Sequence, residues 1–147
     1  MEEPLIIRKP LSKEDFELMY NLRWRVLREP WNQPKGSEKD DIETESYPFI
    51  VTLNEKIVAT ARFHTADDNE GRIEYLAVES EYRKRRIASK LMLYIEGFAI
   101  NLGLTCILIR APKTTKEFFK KLNYKIIRKN PKLINEIEHL IMKKMLI

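Results

Sequence analysis

Four consecutive cations, Arg83, Lys84, Arg85 and Arg86, stand where an apolar strand pattern gives way to a helical one. The strand runs from Ile73 to Val78, and the helix opens near Ala88. The first N–H groups of a helix have no partners inside it and lie at the positive end of its dipole. Such a place binds phosphate. The basic side chains add charge, and the small Ala88 and Ser89 let an anion approach the backbone. Residues Arg83 to Ser89 therefore predict a diphosphate pocket at the end of a strand. The same run also fits a solvated face or a nucleic-acid patch. Only Tyr82 flanks it as an aromatic, which argues against nucleic acid as the partner.

The elements that must hold this loop can be read along the chain. Leu5 to Arg8 is a short strand, and Ser12 caps a helix from Lys13 to about Glu29, which Pro30 helps to end. Phe16, Met19, Tyr20, Trp24 and Leu27 recur on it at core spacing. Asn32 to Ser46 is a polar, acidic loop. Phe49–Leu53 and Ile57–His64 form a hairpin around Asn54, Glu55 and Lys56, with Ile73–Val78 as the third meander strand. A helix from about Ala88 to Leu102 stops at Gly103. Then come a buried strand from Thr105 to Arg110, a short helix from Thr114 to Leu122, and strands at Tyr124–Arg128 and Leu140–Leu146. This order predicts an α/β (α+β mixed) class, with antiparallel hairpins and one βαβ crossover in a single domain.

The central segment resembles the GNAT superfamily of acyl-CoA N-acyltransferases. The family pattern is an apolar strand ending Leu-Ala-Val, a spacer, then Arg/Gln-x-x-Gly-x-Gly/Ala before a helix with an early Leu. Leu76, Ala77, Val78, Arg83, Ala88 and Leu91 match it, and Arg86 stands where the family usually has glycine. Arg86 either weakens cofactor binding or keeps an ordinary φ and adds a charge contact to phosphate, and we expect the second. Downstream, Phe118 and Tyr124 match the family's Phe-Tyr-x-x-x-Gly-Phe helix end. Asn123 replaces its glycine, and Asn tolerates a left-handed cap. Phe119 stands where many members carry the tyrosine that protonates the CoA thiolate.

The resemblance implies a GNAT-like, mostly antiparallel twisted sheet of about six to seven strands flanked by helices, with the crossover at the acyl-CoA site. It implies transfer of an acetyl or other short acyl group from acyl-CoA to a primary amine, on a small molecule or at a lysine or N-terminus of a peptide. The cofactor-binding residues would be Leu76, Ala77, Val78, Arg83, Lys84, Arg85, Arg86, Ile87, Ala88, Ser89, Phe118, Phe119 and Lys121. Glu74 is the first candidate for general base, because two-residue alternation puts it on the face of Leu76 and Val78. His64 is a weaker candidate. The acceptor would lie against the first helix and the Trp31–Tyr47 loop, where Arg23, Arg25 and Arg28 suit an acid and Glu38, Asp40, Asp41, Glu43 and Glu45 suit a polyamine. Similar proteins often form homodimers.

Composition bounds the rest. The chain has 147 residues, 44% hydrophobic and 33% charged, with 27 basic against 22 acidic residues and a net charge of +5. That suits one cytoplasmic domain with an anionic partner and no membrane span. With one cysteine and two histidines, no disulfide and no metal are expected. Cys106, within an apolar run, reads as a small buried hydrophobe.

Overall fold

Ser12 and Asp15 start the first helix as a reciprocal pair: the Ser12 hydroxyl accepts from the Asp15 N–H at 3.0 Å, and the Asp15 carboxylate reaches back to the Ser12 N–H. This helix, α1, runs Lys13–Leu27. The computed structural model describes residues 4–67, 69–134 and 137–146. Strands β1 (Leu5–Arg8), β2 (Tyr47–Leu53), β3 (Lys56–Thr65) and β4 (Glu70–Val78) precede helix α2 (Ile87–Asn101). Strand β5 (Cys106–Pro112), helix α3 (Lys116–Lys121) and strands β6 (Lys125–Lys129) and β7 (His139–Met145) follow. The seven strands lie in the order β1-β2-β3-β4-β5-β7-β6, the mixed, mostly antiparallel sheet anticipated from the sequence. No helix among the described residues is long and apolar enough to cross a membrane.

The chain packs as two compact units. One takes the chain up to His64 together with Tyr75–Ile95; the other takes Thr65–Glu74 and everything from Glu96 onward. In the first, β1 pairs antiparallel with β2, and β2 with β3. The β2–β3 turn is the two-residue hairpin type with both central residues left-handed, Asn54 at φ 52° and Glu55 at φ 70°. Met19 and Leu22 of α1 pack with Ile50, Ile57 and Ala77, and Phe16, Tyr20, Val26 and Leu27 close over them.

In the second unit, Glu70–Arg72 of β4 pair in parallel with Cys106–Leu108 of β5, and β7 pairs antiparallel with both β5 and β6. The β4–α2–β5 stretch is thus the crossover read from the sequence. Cys106 is buried. Asn123 ends α3 at φ 74°. Its N–H donates to the Lys120 carbonyl and that of Tyr124 to the Phe119 carbonyl, so the left-handed asparagine cap forms as its residue type suggested. Three side chains share a buried polar contact: Tyr124 donates to Glu96 at 2.8 Å, and Lys144 reaches the other oxygen of Glu96 at 2.6 Å. Burial, and after it the Glu96 carboxylate, holds the Tyr124 hydroxyl well above its ordinary ionisation range.

Removing that carboxylate strands an ammonium and a phenol in an apolar setting. Glu96→Ala should cost about 3 kcal/mol in urea unfolding. A loss below about 1 kcal/mol, the range of exposed pairs, would show that solvent already reaches the group.

Candidate active site

After β4 the backbone turns through a short 3-10 segment, Ser80–Tyr82, into α2. The Glu79 N–H still donates to Val58 of β3 at 2.9 Å, and Tyr82 returns to the Glu79 carbonyl. Arg25 of α1 grips Glu79 with two hydrogen bonds of 2.9 Å, which holds the Glu79 carboxyl below its ordinary value and fixes the loop's first residue. Beyond Arg83 the chain takes left-handed conformations twice, at Lys84 (φ 65°) and Arg86 (φ 62°). The Arg86 carbonyl accepts the first helical bond, from Lys90 at 3.0 Å. Ile87 is buried and pins the start of α2, while Arg83, Lys84, Arg85 and Arg86 are all exposed. Arg85 lies 5.0 Å above the Tyr82 ring.

Among the described residues, none of the N–H groups from Arg86 to Ser89 donates a hydrogen bond. Alternating left-handed residues turn successive N–H groups inward as an anion-binding concavity, and a helix dipole here adds to it. The donors, the charge and the exposure suit a diphosphate. Each left-handed non-glycine residue costs about 1 kcal/mol, a strain that an anion bound there would offset.

A second charged group lies at the heart of the same unit. Arg23 and Arg62 are both wholly buried. Arg62 holds Asp40 at 2.6 and 2.8 Å and Glu43 at 2.6 Å. Arg23 holds both oxygens of Glu43 at 3.0 and 3.1 Å and the Glu38 carbonyl at 3.1 Å. The Arg23 guanidinium also stacks on Tyr20 at 5.1 Å and on Tyr75 at 4.5 Å. Arg28 ties the same loop through the Ser37 carbonyl. Burial and the neighbouring carboxylates push the Tyr20 and Tyr75 phenols up, so both are neutral at physiological pH. Asp40 is pulled down to about 2 by its hydrogen bonds from Arg62.

The remaining predicted residues fall elsewhere. Glu74 is half-buried in β4. Phe118 is half-buried, Lys121 exposed and Phe119 buried, its ring edge-on to Phe118 at 4.9 Å and to Tyr124 at 6.0 Å. Among the described residues no group of three or more His, Cys, Asp or Glu could hold a metal ion.

Residues 16–124 match the model of the acetyltransferase (GNAT) family. The chain belongs to that family. It is 26% identical over 133 residues to the uncharacterized N-acetyltransferase YjcF of Bacillus subtilis, a match covering 90% of this chain and 94% of YjcF. Solved structures share its fold, two of them as follows. A candidate N-acetyltransferase of Lactobacillus plantarum superposes with a TM-score of 0.85 at 21% identity, covering 100% of both chains. An aminoglycoside 6'-N-acetyltransferase complexed with coenzyme A gives 0.82 at 18% identity, covering 97% of each.

With the GNAT frame in place, two expectations need correction. Arg86 does not keep an ordinary φ: at 62° it takes the left-handed geometry for which the family's glycine is suited, and the arginine bears the Cβ strain. The two-residue alternation used to place Glu74 with Leu76 and Val78 is also broken. Tyr75 between them is left-handed, at φ 56°. Of the residues read as rival acceptor patches, Arg23 pairs with Glu43 of the acidic run, while Arg25 pairs with Glu79 outside it. What the sequence reading missed was the depth of Arg23 and Arg62. The signals were there: Arg23 shares a helical stripe with Met19, Leu22 and Val26, and Arg62 interrupts the apolar run from Ile57 to Phe63.

Two measurements test this geometry. Replacing Arg86→Gly removes the Cβ strain and should raise stability by about 0.5–1 kcal/mol in chemical unfolding; a loss would mean φ is ordinary there. Asp40 has a depressed pKa, so its contribution is complete above the unfolded value of 3.8 and is lost as pH falls towards about 2. Asp40→Asn should flatten the stability–pH curve in that window, and an unchanged curve would place the acid-sensitive group elsewhere.

Proposed function

We propose that the chain is an N-acetyltransferase that moves an acetyl, or other short acyl, group from acyl-CoA to a primary amine in a ternary complex. The observation that carries this is the cationic loop with left-handed residues at Lys84 and Arg86, opening α2 directly after β4. Membership of the GNAT family supports it, as does the coenzyme A bound by the aminoglycoside N-acetyltransferase of the same fold. On this reading the chain is one functional domain acting in the cytoplasm.

Bound acyl-CoA supplies the activated thioester. The N–H groups of Arg85 to Ser89 and the side chains of Arg83, Lys84, Arg85 and Arg86 hold its diphosphate, with Ile87 fixing the helix start. Backbone of Leu76, Ala77 and Val78 lies along the acyl arm and polarises the carbonyl. Roles for Phe118, Phe119 and Lys121 rest on the family pattern alone. Glu74 takes the proton from the incoming ammonium, directly or through water. Phe119 has no proton to give, so return of a proton to the leaving sulfur falls to water or another group. A cleft of about 360 Å³, lined by Phe16, Tyr20, Trp24, Lys35 and Lys39 among others, supports an acceptor lying between α1 and the loop that follows it. The acceptor is a small-molecule amine or a lysine or N-terminal amine of a peptide.

A second reading draws on Phe119. A family member lacking that hydroxyl would serve as an acyl-CoA-binding regulatory module with weak turnover, and an amine panel separates the two.

Calorimetric titration with acetyl-CoA is the direct check. Arg83→Ala and Arg85→Ala should each weaken binding by about tenfold, as the loss of a charge-assisted phosphate contact does. Absence of binding to acetyl-CoA and CoA by the parent protein would end both readings.

A further inference from the structure

Tyr75 is the one residue of β4 whose backbone runs against its own side chain. At φ 56° a bulky residue is an outlier, held only where its surroundings over-determine it. The strand shows the consequence. Gly71, Arg72 and Ile73 alternate buried, exposed, buried; then Glu74, Tyr75 and Leu76 are all half-buried before Ala77 is buried again. One left-handed residue bends a strand and re-aims the groups that follow. Here those are the N–H groups of Leu76 to Val78.

The surroundings that hold Tyr75 are cationic. Three guanidinium groups stand over its ring: Arg23 at 4.5 Å, Arg62 at 4.7 Å and Arg28 at 5.5 Å. Attraction between a cation and a ring strengthens when water is excluded, and Arg23 and Arg62 are wholly buried. Neither can shift to follow the ring, because Asp40 and Glu43 fix both. The phenol oxygen adds a long contact of 3.4 Å to Asp40. If the ring swung away, the guanidinium faces would lose their cover.

We infer that this arginine cage makes Tyr75 a positioning residue: it holds the left-handed bend of β4 and so aims the backbone N–H groups of Leu76 and Val78, on the edge opposite the Glu79–Val58 bond, at the acyl carbonyl. The inference rests on the acyl-CoA reading above. It also gives the acidic loop a different task from drawing in an amine, since Asp40 and Glu43 hold the arginines that hold the strand.

The test is isotope-edited infrared spectroscopy of the acetyl-CoA carbonyl bound to wild type, Tyr75→Phe, Tyr75→Ala and Tyr75→Asn, beside the affinity of each for CoA. Aimed N–H groups lower the carbonyl stretch of wild type. Tyr75→Phe keeps the ring and keeps the downshift. Tyr75→Ala loses it with CoA affinity unchanged, because CoA has no acyl carbonyl. Asparagine accepts a left-handed φ without the cage, so Tyr75→Asn restores the downshift. Should the alanine variant fail to unfold cooperatively, Tyr75→Leu, which keeps apolar bulk but disfavours the bend, replaces it. Equal downshifts in wild type and Tyr75→Ala overturn the inference. So does equal loss in the alanine and asparagine variants, or an unshifted carbonyl in wild type. Wild type that binds neither acetyl-CoA nor CoA instead sinks the acyl-CoA reading, and the inference with it.

Discussion

The first turn of α2 carries N–H groups that no described residue satisfies, and the chain places cations beside them where most helices carry a Ser, Thr, Asn or Asp cap. Four exposed positive side chains in a row repel one another, and two of them occupy left-handed backbone. Each of these choices is locally unfavourable. Together they make a concavity suited to an anion, the pattern expected when local rules are broken for function. The strand before the loop, the Arg25–Glu79 clamp at its start and the buried Ile87 at its end all keep the cradle in place.

The other dense group of charges follows the opposite logic. Arg23 and Arg62 lie where no water reaches them, and an unpaired charge there would be prohibitive. The chain supplies Asp40 and Glu43 from one loop to neutralise both, and Tyr20 and Tyr75 cover the flat faces of Arg23. Charges in this group are paired internally and set geometry; charges in the Arg83–Arg86 loop are exposed and suit a ligand. Net charge alone, at +5, draws no such distinction.

Much of this was legible in the sequence, and the limits have physical causes. Every predicted strand and helix is present, because hydrophobic period, the Ser12 cap and the Gly103 and Asn123 stops are local signals. Strand β4 begins at Glu70 rather than Ile73 because Gly71 pairs with Ile107, a partner far along the chain. The basic loop was recognisable by its charge and its place between strand and helix. Its backbone was not, since an arginine side chain carries no sign that φ will be positive. Tyr75 is a good strand former, and its left-handed φ comes from residues of α1 and β3 that sequence spacing does not bring together. Arg62 meets Asp40 and Glu43 across 22 and 19 residues, so that pairing is tertiary as well.

Whether the opening of α2 holds a diphosphate is read directly by amide hydrogen exchange of those N–H groups with and without CoA. The account predicts that CoA slows exchange from Lys84 to Lys90, while the amides of α1 from Lys13 to Leu27 exchange as before. Protection confined to another segment, or none at saturating CoA, would contradict it.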